Sequence, residues 1–205
     1  MMLDMRLRRA GFSALLVECR DGEHVEAWRA EIWRRREAGE LRVTDIVPGA
    51  RTVLLDGVAP GTAELLADWP EPSVAQKQVQ RLVEIPTTFD GEDLSEVAAI
   101  WGVSSTAVID RLIGTELVVA FGGFAPGFAY LRGMPEAWSV PRLAAPRPRV
   151  PAGSVGLAGP YAGIYPTASP GGWRLVGHTD QQLFDVRAEP PALLTPGTRV
   201  RLGPA

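Results

Sequence analysis

Along the first third of the chain the apolar positions follow strand-like runs, then helical spacing, then strand-like runs again. Phe12-Ser13-Ala14-Leu15-Leu16-Val17-Glu18 predicts a strand, and Asp21-Gly22 a turn after it. From Glu23 to Ala38, Val25, Trp28 and Ile32 fall on one stripe surrounded by charges, the pattern of an amphipathic helix. Gly39 stands where that helix should stop. Leu41 to Val47 and Thr52 to Leu55 predict two strands joined at Pro48-Gly49. Thr62 to Trp69 predicts a short helix that Pro70 and Pro72 break. Strand, helix, strand, strand, helix describes a small sheet with helices on one face.

The pattern then changes. Val79 to Thr88 predicts a strand, and Asp90 is placed to cap a helix carrying Leu94, Val97, Ala98 and Trp101. Ser104 or Ser105 is placed to cap another through Ala107 to Leu112. Beyond Glu116 short β-capable pieces alternate with turn-rich segments: Leu117–Phe121, Ser154–Leu157, Trp173–Val176, Leu183–Val186 and Arg199–Leu202. That rhythm predicts a closed or nearly closed β-barrel. Residues 121–205 also hold 13 of the 18 prolines and 13 of the 22 glycines, so a second domain of different class is expected. The expected fold is an α+β N-terminal domain over residues 1–78, followed by a mainly β barrel domain over residues 79–205.

Charge and composition narrow the functional classes. A net charge of -3 argues against nucleic acid as the main partner. The single cysteine, Cys19, allows no intramolecular disulfide, which suits a reducing compartment, and it ends an apolar run as a small core residue would. Met1 to Ala10 lacks the apolar core of a signal peptide, and no apolar stretch is long enough to span a bilayer. The expectation is a cytoplasmic protein with no membrane partner.

Familiar catalytic signatures are missing. The only lysine, Lys77, follows no glycine-rich stretch, and His24 and His178 do not form a metal-ligating cluster with the single cysteine. His24 falls on the polar side of the first helix and is expected to face solvent; His178 follows a strand at a turn. Ser154 does not sit in the five-residue setting of a nucleophile elbow. Arg142, Arg147 and Arg149 are spaced along a segment that Pro141, Pro146, Pro148 and Pro151 hold extended. Guanidinium groups on so stiff a backbone can clamp a carboxylate or phosphate, or they can pair with nearby acids. Phe124, Phe128, Tyr130, Tyr165 and Trp173 can line a pocket or pack the barrel, with the two phenols needing partners if buried. Gly171 and Gly172 form either an anion-cradling loop or a plain tight turn.

Several of these segments carry a resemblance. They are Gly123-Phe124-Ala125-Pro126-Gly127-Phe128-Ala129-Tyr130-Leu131, Pro146-Arg147-Pro148-Arg149-Val150-Pro151-Ala152-Gly153-Ser154-Val155, Gly163-Ile164-Tyr165-Pro166 and Ser169-Pro170-Gly171-Gly172-Trp173. Pro141-Arg142 and Pro196-Gly197-Thr198-Arg199-Val200-Arg201 extend the match. The chain resembles the allophanate hydrolase subunit 1 family, also described as the carboxyltransferase domain, subdomains C and D. That family includes the B-type subunit of 5-oxoprolinase and a sporulation kinase inhibitor. The resemblance implies a cyclophilin-like barrel in the second half and a partner of related fold, called subunit 2 or the C-type subunit. It implies one half of an ATP-dependent 5-oxoprolinase-like complex acting on a small cyclic amide, working with an A-type subunit as well and inactive alone. ATP is then needed by the complex, because phosphorylating a lactam oxygen creates a leaving group that water can displace. The other activities in the family are inhibition of a histidine kinase and the carboxyltransferase half of a urea carboxylase. The latter would need a carrier, since this chain has no Met-Lys-Met stretch to accept biotin.

On this reading Tyr130, Arg149, Tyr165 and His178 are the candidate catalytic residues. Arg142, Arg147, Ser154, Gly171 and Gly172 are the candidate substrate-binding residues, with no metal expected. Leu112, Leu117, Ala162 and His178 depart from the family pattern and are expected near the site.

Overall fold

A computed structural model describes residues 5–72 and 81–205, and the chain splits into two units, Met1–Val79 and Gln80–Ala205. In the first unit β1 (Arg6–Ala10), β2 (Ala14–Glu18), β3 (Asp45–Pro48) and β4 (Thr52–Asp56) form an antiparallel sheet in the order β1-β2-β4-β3. The helices are α1 (Gly22–Glu37) and α2 (Thr62–Ala67). Asp21 caps α1, its carboxylate accepting from the His24 N–H at 2.9 Å. Val25, Trp28 and Ile32 are fully buried along the expected stripe, each contributing roughly 1.5–3 kcal/mol of transfer free energy. Arg35 lies 4.0 Å over the Trp69 ring, closing the far side of this core.

Two details differ from the sequence reading. β1 is an additional strand: Arg6, Arg8 and Arg9 disguise it, because an edge strand can leave its charges in solvent. His24 is buried rather than exposed, its Nδ1 3.0 Å from Asp21 and its Nε2 3.0 Å from Glu71. Two carboxylates that meet both ring nitrogens make its burial tolerable.

The second unit holds β5 (Leu82–Thr87), α3 (Leu94–Trp101), α4 (Ser105–Gly114), β6 (Leu117–Gly122), β7 (Ala129–Arg132), β8 (Arg147–Val150), β9 (Ser154–Ala158), β10 (Tyr161–Ile164), β11 (Ser169–Gly171), β12 (Arg174–His178) and β13 (Arg199–Pro204). Seven strands form one sheet in the order β12-β9-β10-β7-β6-β13-β5, and β8 pairs β11 as a separate ribbon. The ends of the sheet meet at one bridge. Thr88 N–H donates to the His178 carbonyl at 2.9 Å, and His178 N–H returns a bond to the Thr88 carbonyl at 2.8 Å. The fold is thus mixed α/β with a nearly closed barrel.

Alternation within the strands sorts residues between two cores. Ala129 and Leu131 of β7, with Ala162 and Ile164 of β10, join Val97, Ala98, Val108 and Leu112 in the main core. Phe128, Tyr165, Trp173 and Leu175 form a second, aromatic cluster with Tyr130 and Tyr161 packed against it. Leu112, Leu117 and Ala162, expected near the site, are all 0% exposed in the main core instead. The apolar side chains there fill core volume.

Ser104 caps α4, its hydroxyl accepting from the Ala107 N–H at 3.1 Å. Asp90 does not cap α3; Asp93 occupies that position and Asp90 faces His178. Leu183–Val186 is not a strand, holding only the single bridge Phe184–Ala192, with Val186 exposed. Val79 and Gln80, at the start of an expected strand, lie outside the described residues. Among the described residues no single helix is long and apolar enough to cross a membrane, and the apolar sides of α3 and α4 are spent on the barrel core.

Candidate active site, an aromatic cleft on the barrel

The Gly-Pro-aromatic segments converge on a cleft of about 640 Å³. Its floor is one face of β7 and β10, and its walls are Phe124 and Phe128 on one side and residues 139–142 on the other. All five aromatics singled out in the sequence line it: Phe124, Phe128, Tyr130, Tyr165 and Trp173. They also pack on one another, so lining and packing are one arrangement. Phe128 meets Tyr165 and Trp173 edge-on at 5.3 and 5.4 Å between centroids, and Tyr130 stacks on Phe121 at 4.4 Å.

Glycine makes this packing possible. A Cβ on Gly163 would lie 2.9 Å from both the Phe128 and Trp173 rings. One on Gly171 would sit against the Tyr165 hydroxyl, within 2.9 Å of its ring carbons. Phe124 is the one non-glycine residue with positive φ among those described, at 68°. It is 61% exposed at the cleft mouth, a strained backbone position of the sort found at functional sites.

The wall at residues 139–143 is pinned along its length. Val140 and Gly159 exchange backbone bonds of 3.1 and 2.7 Å. Arg174, ion-paired with Glu96, donates to the Pro141 carbonyl at 3.2 Å, and Leu143 N–H donates to the Gly172 carbonyl at 2.8 Å. Arg142 therefore projects from a fixed backbone. It lines the cleft, is exposed, and has no ion pair among the described residues.

Burial pushes the Tyr165 phenol above its ordinary range; a hydrogen bond from the Trp173 backbone and the Arg142 charge oppose this. Tyr161 is raised by burial too, opposed by Arg132. At neutral pH both phenols stay protonated and can donate to an acceptor in the cleft; neither serves as a base.

The remaining expected residues lie elsewhere or are already engaged. Arg147 is committed to a latch: its Nη2 donates to both Asp93 oxygens at 2.8 and 2.9 Å, its Nε pairs with Glu92 at 2.7 Å, and its Nη1 donates to the Trp173 carbonyl at 3.3 Å. Asp93 additionally accepts from the Leu175 N–H at 2.6 Å. Arg149 is exposed on β8, outside the cleft lining. Ser154 is 5% exposed on the strand face behind Tyr165, whose N–H donates to the Ser154 carbonyl at 3.0 Å. Gly171 lines the cleft, while Gly172 backs onto Leu143 and Pro146. The Gly172 carbonyl, accepting from the Leu143 N–H, ties this turn to the wall. His178 pairs with Asp90 at 2.8 Å in a separate depression of about 270 Å³ with Thr88, Thr179 and Gln181, sharing no lining residue with the aromatic cleft.

The sequence reading gave no site role to Tyr161, which lines the cleft, or to Arg132 across the strands from it. The alternation Ala129-Tyr130-Leu131-Arg132 carried the signal: Arg132 must share a strand face with Tyr130. Among the described residues no three His, Cys, Asp or Glu side chains converge as a metal-binding group.

The chain is similar in sequence and fold to known proteins. The family described as carboxyltransferase domain, subdomain C and D, matches residues 5–194. The B-type subunit of the 5-oxoprolinase of Escherichia coli O157:H7 is 43% identical over 87% of this chain and 86% of its own length. The crystal structure of TTHA0988 superposes with a TM-score of 0.78 at 34% identity, covering 98% of this chain and 40% of that one, so this chain spans well under half of that relative. The urea carboxylase of Kluyveromyces lactis shares the fold, with a TM-score of 0.71 at 19% identity over 98% of this chain and 22% of that protein.

Proposed function

The chain belongs to the family of the carboxyltransferase domain, subdomain C and D, and from that premise we propose that it is the B-type subunit of a 5-oxoprolinase-like complex. The complex opens the lactam of 5-oxoproline to glutamate at the expense of ATP. The observation that carries this reading is the identity to a 5-oxoprolinase subunit of that type across nearly the full length of both chains. The cleft supports it physically: an apolar, aromatic-walled space suits a small ring, Arg142 suits its carboxylate, and the hydroxyls of Tyr165 and Tyr130 suit its carbonyl oxygen.

The role assigned to this chain is to bind and orient. Tyr165 donates from a position fixed by Gly171 and Trp173, and Arg142 supplies the anion contact. With the Gly171–Gly172 turn tied to the wall and Arg147 held by acids, we place ATP at the level of the complex rather than on this cleft. A C-type subunit of related fold and an A-type subunit complete the site, and the division near residue 79 is read as a domain boundary.

The test is co-expression with the A-type and C-type subunits, followed by an assay of ATP-dependent glutamate release. The trio is expected to be active, this chain alone inactive, and the trio carrying Arg142→Gln at least about 10-fold slower, the loss of one charge-assisted contact. Glutamate release by this chain alone, or release by the other two subunits that is indifferent to it, overturns the proposal.

A further inference from the structure

Arg142 lines the cleft from its loop wall, and Arg132, just outside the lining residues, stands across the strands from the cleft's Tyr161. The register pairs Leu131 with Ala162 and Tyr130 with Gly163, which sets Arg132 beside Tyr161 one step further along β7 and β10. Ala129 and Leu131 point into the main core, so Tyr130 and Arg132 share the other face, the face that carries Tyr161 and Gly163. Arg132 is close enough to ease ionisation of the Tyr161 phenol, as Arg142 does for Tyr165. Tyr161 and Tyr165 stand four residues apart on one strand line, about 13 Å at the rise of extended chain. The two arginine side chains can reach inward from either end. Neither has an ion pair among the described residues, unlike Arg147, Arg174 and Arg199 of the same unit. Between them the surface is largely aromatic, with the phenol hydroxyls and Ser139 among its polar groups.

We propose that the cleft is a two-ended anion site: it holds a short chain with an anionic group at each end, one on Arg142 and one on Arg132, across an aromatic floor. The ligand class is a dicarboxylate of about five carbons, or a carboxylate–phosphate of like length. This rests on the proposed function and deepens it. A ring-closed 5-oxoproline carries one carboxylate and a neutral amide. Phosphorylation of its amide oxygen adds a second anionic group, and ring opening leaves two carboxylates. A site with a cation at each end therefore favours states that carry a second negative charge over the neutral lactam, and it lowers the barrier to the extent that this charge develops in the transition state. Arg132 is then a specificity-determining residue for the second anion.

The experiment is an NMR or calorimetric titration of the full chain with three probes. Glutarate and valerate have the same carbon count and differ in the second carboxylate, while 4-phosphonobutyrate replaces one carboxylate by a phosphonate. Glutarate is expected to bind at least about 10-fold tighter than valerate, as a second charge-assisted contact implies. Arg132→Gln and Arg142→Gln should each reduce that advantage to about twofold or less, Arg132→Lys should retain part of it, and Arg81→Gln, remote in register from the cleft face, should leave it intact. Phosphonate binding above glutarate assigns the site to the phosphorylated species, and the reverse order to the opened chain; both outcomes support two anion subsites. Equal affinities for glutarate and valerate, binding of neither, or an advantage that survives Arg132→Gln overturns the inference. The titration needs no partner protein, so its failure leaves the glutamate-release test of the proposed function standing. An inactive complex with an intact glutarate advantage would sink the reaction assignment alone.

Discussion

Replacing Asp93 by Ala should unlatch the cleft wall and cost the barrel unit about 3–4 kcal/mol. The Asp93 side chain is 8% exposed and Arg147 is 20% exposed. Removing one partner of a buried pair costs roughly 3–5 kcal/mol, because the other charge is stranded. Here the lower end applies, since Arg147 keeps Glu92, 62% exposed, and the Trp173 carbonyl. Asp93→Ala also leaves the buried Leu175 N–H without its acceptor, a loss of about 1–3 kcal/mol that overlaps the first. Asp93→Asn keeps one carbonyl oxygen for Leu175 and should cost about 1–2 kcal/mol. At about 3–4 °C per kcal/mol for a unit of this size, Asp93→Ala lowers its calorimetric Tm by about 10 °C. A double-mutant cycle with Arg147→Met should return a coupling of about 2 kcal/mol. Asp93→Ala within about 1 kcal/mol of the parent, or an additive cycle, would refute the latch. Loss of glutarate binding in Asp93→Asn at a temperature where the fold persists would show that the latch sets cleft geometry as well as stability.

Other outcomes follow from single contacts. Gly171→Ala forces a Cβ onto the Tyr165 phenol and should cost about 2–3 kcal/mol while narrowing the cleft; thermal melts and glutarate titration read both effects. In the first unit, Glu31 is held at about 2 rather than its ordinary 4.5 by the Arg34 hydrogen bond, opposed by burial and reinforced by Arg35. Its folded value lies below its unfolded one, so its contribution is complete above about pH 4.5 and fades as pH falls towards 2. Glu31→Gln should flatten that acid limb of a stability–pH curve by about 1 kcal/mol, after discounting for solvent screening, and an unchanged limb would count against the pairing. Burial, with the Asp21 charge second, pushes the Cys19 thiol up to about 11. Native chain should therefore resist iodoacetamide at pH 8 and react once denaturant is added.

What the sequence made legible was local. Val25, Trp28 and Ile32 announced their helix because its period is short, and Ser104 announced its cap because donor and acceptor lie three residues apart. The aromatic cleft was half legible: its residues were identifiable, but residue types alone could not decide whether they line or pack, and in the fold they do both. Arg147 and Asp93 stand 54 residues apart, and no local pattern tells an arginine held by acids from a free one. For the same reason Arg142, Arg147 and Arg149, alike in sequence, have three different surroundings. Leu112, Leu117 and Ala162 were misplaced because proximity in sequence to site motifs is not proximity in a barrel, where alternate residues face opposite sides. His24 was misplaced because Glu71 reaches it from beyond α2.

β13 lies between β6 and β5, antiparallel to the first and parallel to the second, with Arg199 opposite Leu82. The earliest strand of the barrel to be synthesised thus finds its ladder partner only after every other strand of the barrel has been made. Until then Leu82–Thr87 is an unsatisfied edge, and the intervening hairpins can assemble without it. Deleting Arg199–Pro204 would do more than shorten a margin: it would excise the plank between β5 and β6 and leave β5 only the Thr88–His178 bridge to β12. Forms lacking β13 should accordingly be open, adhesive sheets, and the finished barrel should appear abruptly once Arg199–Pro204 is in place.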